Sequence, residues 1–165
     1  MAQLNVVEAC AHETMRLKPV APIIPLQAVH DVTVGDVRVP AGVIIQNIMR
    51  SDSVSGSHVP RAAAFEPERW LVNADGPGAL ANAAKRISMP FGAGPRICPG
   101  RYLALLEVKM AIAVLLGNFE IENVATPDGG EAREHLAFTM QPVGLRMRLR
   151  SLAGREAVAE RSDAA

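Results

Sequence analysis

Proline and glycine punctuate this chain so densely that few long elements can form. Twelve prolines and thirteen glycines interrupt 165 residues, so short elements joined by long loops are expected. Leu4 to Leu17 escapes the punctuation. It reads as a helix, with Leu4, Val7 and Ala11 at helical spacing and Pro19 stopping it. Lys18 to Pro25 carries Pro19, Pro22 and Pro25 and must be extended. Val32 to Val39 alternates around Gly35-Asp36, a two-residue hairpin signal. Pro40-Ala41-Gly42 is a turn and Val43 to Met49 a strand. Ser51 to Gly94 reads as mostly irregular with weak helical hints, longer than a structureless loop should be in a compact domain. Pro99 to Leu116 predicts a helix, with proline in its first turn and Gly117 just past its end. Phe119, Ile121 and Val124 follow in broken alternation. Leu136 to Met140 and Leu145 to Leu149 predict a closing hairpin around Gln141-Pro142-Val143-Gly144. Residues 153–165 read as a disordered tail.

Composition excludes several classes. Basic and acidic residues balance at 17 each, which removes the electrostatic footprint of a nucleic-acid binder. Aromatics at 4% leave little for a base-stacking surface. Two cysteines, Cys10 and Cys98, make no disulfide framework and point to a reducing compartment, the cytoplasm. Met1 to Cys10 lacks the basic start of a signal peptide, and the longest apolar run, Met110 to Leu116, is too short for a membrane anchor. A helix opening almost at Met1 suggests a fragment or a late start. In the last strand Arg146, Arg148 and Arg150 alternate with Leu145, Met147 and Leu149, giving either an anion site or a solvated strand face.

The chemistry concentrates in Phe91-Gly92-Ala93-Gly94-Pro95-Arg96-Ile97-Cys98-Pro99-Gly100. One cysteine follows a glycine-rich loop and precedes a predicted helix. Glycines let such a loop turn tightly and present its N–H groups. The helix N-terminus and Arg96 add positive potential, and all three favour negative charge on the sulfur. Gly100 removes a side chain where a flat ligand could approach. A lone thiolate here could be a nucleophile, a zinc ligand or a haem ligand, or the residue could be a structural cysteine. Zinc needs more ligands, and His12, His30, His58 and His135 are scattered. A cysteine nucleophile needs a histidine partner that no cue nominates. One thiolate suffices where a porphyrin fills the other metal positions. Two further motifs accompany the loop: Glu13 and Arg16 at i and i+3 on the first helix, and Phe65-Glu66-Pro67-Glu68-Arg69-Trp70.

Glu13-x-x-Arg16, Phe65-x-Pro-x-Arg69-Trp70 and Phe91-Gly92-x-Gly94-x-Arg96-x-Cys98-x-Gly100 together resemble the cytochrome P-450 family of haem-thiolate monooxygenases, in the family's order and over Leu4 to Leu149. The wording between the motifs is similar to bacterial, soluble members. The resemblance implies a mainly α fold with small β-sheets (α+β): a helix, β-hairpins, a long meander, a Cys-ligand loop, a helix and a closing hairpin. It implies that residues 1–152 are the C-terminal haem-binding portion of a longer domain.

By the same resemblance Cys98 is the axial thiolate of the iron of haem b (iron protoporphyrin IX), and Arg96 pairs with a haem propionate. Phe91 shields the sulfur, and Gly92, Gly94 and Gly100 shape the cofactor loop. Glu13, Arg16 and Arg69 form a buried charge network. Ile23, Ile24, Phe138 and Met140 are substrate-pocket candidates. Leu26 falls where many bacterial relatives place an arginine for the other propionate, which leaves His30, Arg38 and Arg50 as weak candidates for that partner. Expected partners are O2, a small apolar organic substrate, and an electron donor such as a ferredoxin or flavodoxin. That donor would meet the basic residues Lys85, Arg86, Arg96, Arg101 and Lys109. With no counterpart of the family's long central helix, the chain alone is expected not to be competent. The alternatives are a remnant that binds haem without catalysis, or a non-functional fragment.

Overall fold

The computed structural model describes residues 4–71, 81–137 and 139–152. The predicted tail and the pocket candidate Phe138 lie outside the described residues. The chain divides into two compact units, Ala9–Pro99 and the pair of segments Met1–Glu8 with Gly100–Ala165. The described residues form four two-stranded antiparallel sheets among the helices, an α+β mixture.

Helix α1 (Asn5–Leu17) buries Ala9, Glu13 and Arg16. These lie four and three residues apart, so they share a face. Two of the three are charged, which is an unusual inner stripe for a helix. Strands β1 (Ile23–Gln27) and β4 (Ile44–Ile48) pair from Ile23↔Ile48 to Gln27↔Ile44. Between them β2 (Val32–Val34) and β3 (Val37–Val39) make the predicted hairpin. Gly35 opens its turn at φ +62°, a conformation that residues with a Cβ rarely adopt.

The segment Ser51 to Gly94 carries more helix than expected: α2 (Met49–Ser53), α3 (Glu68–Leu71) and α4 (Ala81–Ile87), with a single 3₁₀ turn at Gly94–Arg96. Each helix is too short to show a helical period in sequence. A small core of Val59, Ala62 and Ala84 packs against Trp70.

In the other unit α5 spans Arg101–Asn118. It begins two residues later than predicted, because Pro99 lies ahead of the Gly100 N-cap. It also runs through Gly117. A glycine ends a helix by turning left-handed, but Gly117 has no positive φ, and the chain instead passes straight into an extended Phe119. The helix is apolar on every side yet buries Leu105 alone, with Leu103, Val114 and Leu116 exposed.

The closing strands also differ from expectation. Leu136 and Met140 are partners across β6 (Arg133–Leu136) and β7 (Met140–Val143). Residues 145–149 instead belong with β8 (Arg146–Ser151), which pairs with β5 (Phe119–Ala125). The broken alternation of β5 is a bulge between Ile121 and Asn123, and it lets Ile121 meet Leu149 and Val124 meet Met147. Apolar cross-strand pairs of this kind set register. Arg150 reaches Glu120 and Glu122 on β5, and Arg146 and Arg148 are exposed, so the arginine row is a solvated face.

Candidate functional site

The buried stripe of α1 is the hub of a charge network. Arg16 forks onto Glu13, Nε to Oε2 at 2.9 Å and Nη2 to Oε1 at 2.8 Å. Its remaining N–H groups reach the carbonyls of Ser53 at 2.7 Å, Ala62 at 2.7 Å and Ala64 at 3.0 Å. A guanidinium has five N–H donors, and these bonds use them all. Ser53 Oγ returns a bond to the Arg16 carbonyl at 2.9 Å. Glu13 accepts further bonds from the Glu66 amide at 3.0 Å, Arg69 Nε at 3.3 Å and the Trp70 indole at 2.9 Å. One helix thereby holds both ends of the segment from α2 to α3.

Arg69 also meets Glu66, and its Nη2 donates to the Arg61 carbonyl at 3.0 Å. Arg61 in turn pairs with Glu66 and adopts φ 48°, a left-handed backbone in which most side chains are strained. Sequence reasoning nominated Glu13, Arg16 and Arg69, but not Trp70 or Ser53. The lone tryptophan beside Arg69 was the available signal for the former; nothing marked the latter.

Burial of Glu13 pushes its carboxyl up. The Arg16 fork, the Glu66 amide, the Trp70 indole and the Arg16 charge outweigh that, leaving it below its ordinary value of 4.5. The Glu66 carboxyl is also lowered, first by its bond from Arg61. A depressed folded-state value means that the network's contribution is full above about 4.5 and is lost as pH falls through the folded value. Thermal unfolding followed by circular dichroism should therefore show a midpoint that drops steeply below that pH, and Glu13→Gln should flatten the drop. An acid limb of equal slope in Glu13→Gln would show that other carboxylates control it.

The cysteine loop closes on itself. Cys98 donates its N–H to the Phe91 carbonyl at 2.8 Å, Gly92 to Met89 at 2.8 Å, and Ile97 to Gly94 at 3.1 Å. Gly92 and Gly94 take φ +72° and +66°. A Cβ at Gly94 would meet nothing within 4 Å, so backbone conformation and not space requires glycine there. Gly100 belongs to the other unit, where its carbonyl accepts the Ala104 amide at 2.9 Å.

The loop walls a cavity of about 440 Å³, lined by Phe91, Gly92, Arg96 and Cys98 on one side and by Ile24, Leu26, Asn47 and Met49 on another. Cys98 is exposed. Ile24 lines this cavity and Ile23 does not, because successive strand residues face opposite ways. Met140 is half-buried on β7 in the other unit. Leu26, Asn47 and Met49 were not nominated as pocket residues; an asparagine inside an isoleucine-rich strand was a usable signal.

Residues 1–148 match the family model for Cytochrome P450. The chain belongs to the cytochrome P450 family. It is 34% identical over 132 residues to the mitochondrial 25-hydroxyvitamin D-1 alpha hydroxylase of Homo sapiens, covering 80% of this chain and 24% of that protein. It is 34% identical over 166 residues to the steroid 17-alpha-hydroxylase/17,20 lyase of Felis catus, covering 97% of this chain and 31% of that one. The crystal structure of a cytochrome P450 (CYP102L1) superposes with a TM-score of 0.74 at 30% identity, over 91% of this chain and 32% of that chain. The chain thus spans a third or less of the length of these relatives.

P450 membership implies a haem cofactor, and the residues present fit one. The side chains of the cavity wall are apolar apart from one thiol, one guanidinium and one amide. Among the described residues no group of three or more His, Cys, Asp or Glu could hold a bare metal ion. A metal held through this thiol would need its other positions filled by another scaffold, as a porphyrin fills them. No helix among the described residues is long and apolar enough to cross a membrane.

Proposed function

We propose that residues 1–152 are the C-terminal haem-binding portion of a P450 monooxygenase that inserts one oxygen atom of O2 into an apolar organic substrate. The observation that carries the reading is Cys98 on the wall of an apolar cavity, at the end of a loop closed by its own amide. Bound there, haem b would supply oxygen activation through an iron made electron-rich by the cysteine thiolate.

This chain's residues hold and shape that site. Cys98 would hold the haem iron through its thiolate. Phe91 would shield the sulfur once haem is bound, Gly92 and Gly94 give the loop its turn, and Gly100, the N-cap of α5, remains a cofactor-loop candidate. Arg96, on the cavity wall, neutralises one haem carboxylate. Glu13, Arg16 and Arg69 hold the meander in place. Ile24 presents the apolar edge that a substrate would meet; Ile23, Phe138 and Met140 remain candidates for further contacts. A cytoplasmic location rests on the two free cysteines.

The proposed electron donor, a ferredoxin or flavodoxin, would meet fewer basic groups than the sequence suggests. Lys109 Nζ lies 2.7 Å from Glu8 and is mostly buried, and the Arg101 guanidinium stacks 4.4 Å over the Tyr102 ring. With Arg96 committed to the haem carboxylate, Lys85 and Arg86 are left.

The test is the reduced, carbon-monoxide-bound spectrum of the haem-loaded chain together with O2-dependent product formation. A red-shifted Soret band supports thiolate ligation; an unshifted band or no stable haem spectrum overturns it. The exposed apolar surface of α5 favours a second reading, in which the chain alone binds haem without catalysis. The shifted band without turnover supports that reading.

A further inference from the structure

Asn47 interrupts an apolar strand. β4 reads Ile44-Ile45-Gln46-Asn47-Ile48, and strands disfavour asparagine. Its register partner is Ile24, two residues before Leu26, so all three side chains stand on one face of the β1–β4 sheet. That face lines the cavity holding Arg96 and Cys98. Apart from the cysteine, Asn47 and Arg96 carry the polar side chains of the wall.

On the haem reading given above, the ligand brings two carboxylates to this cavity. Arg96 can hold one. Leu26 offers no donor for the other. His30, Arg38 and Arg50 do not line the cavity, and Arg38 is engaged 2.9 Å from Asp31. We propose that Asn47 anchors the second carboxylate, its side-chain N–H groups donating to the carboxylate oxygens. A primary amide has two donors and no charge. It can bind an anion here without placing a second cation in an apolar wall, which would carry its own desolvation cost.

The experiment titrates the full chain with ferric protoporphyrin IX and with its dimethyl ester, in which both carboxylates are capped. Asn47→Leu should weaken binding of the free acid roughly tenfold or more, the scale of a lost hydrogen bond to a charged group, and leave the ester nearly unchanged. Asn47→Asp keeps the shape and adds like charge, so it should weaken the free acid further and again spare the ester. Arg96→Leu should show the same preference. The readout is the ratio of the two affinities, measured by absorbance and independent of turnover. Asn47 variants that bind both porphyrins like wild type, or lose both equally, reduce Asn47 to wall packing and overturn the inference. A wild-type chain that takes up neither porphyrin overturns the haem reading itself, and this inference with it.

Discussion

In a urea titration, Arg16→Ala should lose about 5 kcal/mol or more against wild type. Breaking a buried ion pair costs about 3–5 kcal/mol because the surviving charge stays buried. Here both side chains are fully buried. The truncation also strips the carbonyls of Ser53, Ala62 and Ala64 of their donor, each deserted group adding about 1–3 kcal/mol where water cannot replace it. A domain's whole stability is about 5–15 kcal/mol, so the variant should be largely unfolded. Arg16→Lys should rescue little, since an ammonium cannot fork onto Glu13 and reach three carbonyls together. Arg69→Ala should cost less, about 1–3 kcal/mol. Its bond to Glu13 is longer, at 3.3 Å, and Glu13 keeps the Arg16 fork without it. Equal urea midpoints for wild type and Arg16→Ala would show the network to be energetically idle. Equal losses for Arg16→Ala and Arg69→Ala would remove the ranking that the carbonyl bonds imply.

The same contacts explain which parts of the fold could be read from sequence. Period and punctuation exposed α1 and the β2–β3 hairpin, because each satisfies its own backbone locally. Gly35 at φ +62° is a local demand with a local signal. The partner of β8 had no such signal. Its alternation says that it is a strand, not which strand it meets. The choice of β5 over β7 follows from apolar pairs between residues some 25 positions apart, such as Val124 with Met147. Gly117 misled for a related reason: a glycine marks a helix end only if the chain then turns left-handed. Here the chain runs on into β5.

The site divides in the same way. The cysteine loop is one continuous stretch whose chemistry is carried by consecutive residues, so it was legible. Glu13, Arg16 and Arg69 were legible as motif residues. Their burial was legible through the family resemblance alone, because charged side chains by themselves ordinarily mark a solvated face and only the converging carbonyls reverse that. Ser53 and Asn47 matter through what they face across the fold, Arg16 and the cavity. Neither has an unusual neighbour in sequence beyond the isoleucines around Asn47.

Cys98→Ser should abolish the red-shifted carbonyl spectrum while leaving the fold almost untouched. The spectral loss should be complete, because a serine hydroxyl is not ionised near neutral pH and cannot replace a thiolate on iron. The structural cost should stay within about 0.5 kcal/mol. Cys98 is exposed, and the bond that fixes it is its backbone N–H to the Phe91 carbonyl at 2.8 Å, which serine retains. Loss of the band together with a wild-type urea midpoint therefore separates ligation from folding, as Arg16→Ala cannot. Cys10→Ala is the matched control. Cys10 is half-buried on α1 and does not line the cavity, so the band should survive its removal. The chain has two cysteines, which makes the pair of variants decisive. A shifted band that persists in Cys98→Ser and vanishes in Cys10→Ala would move the ligand to α1 and overturn the assignment of the loop.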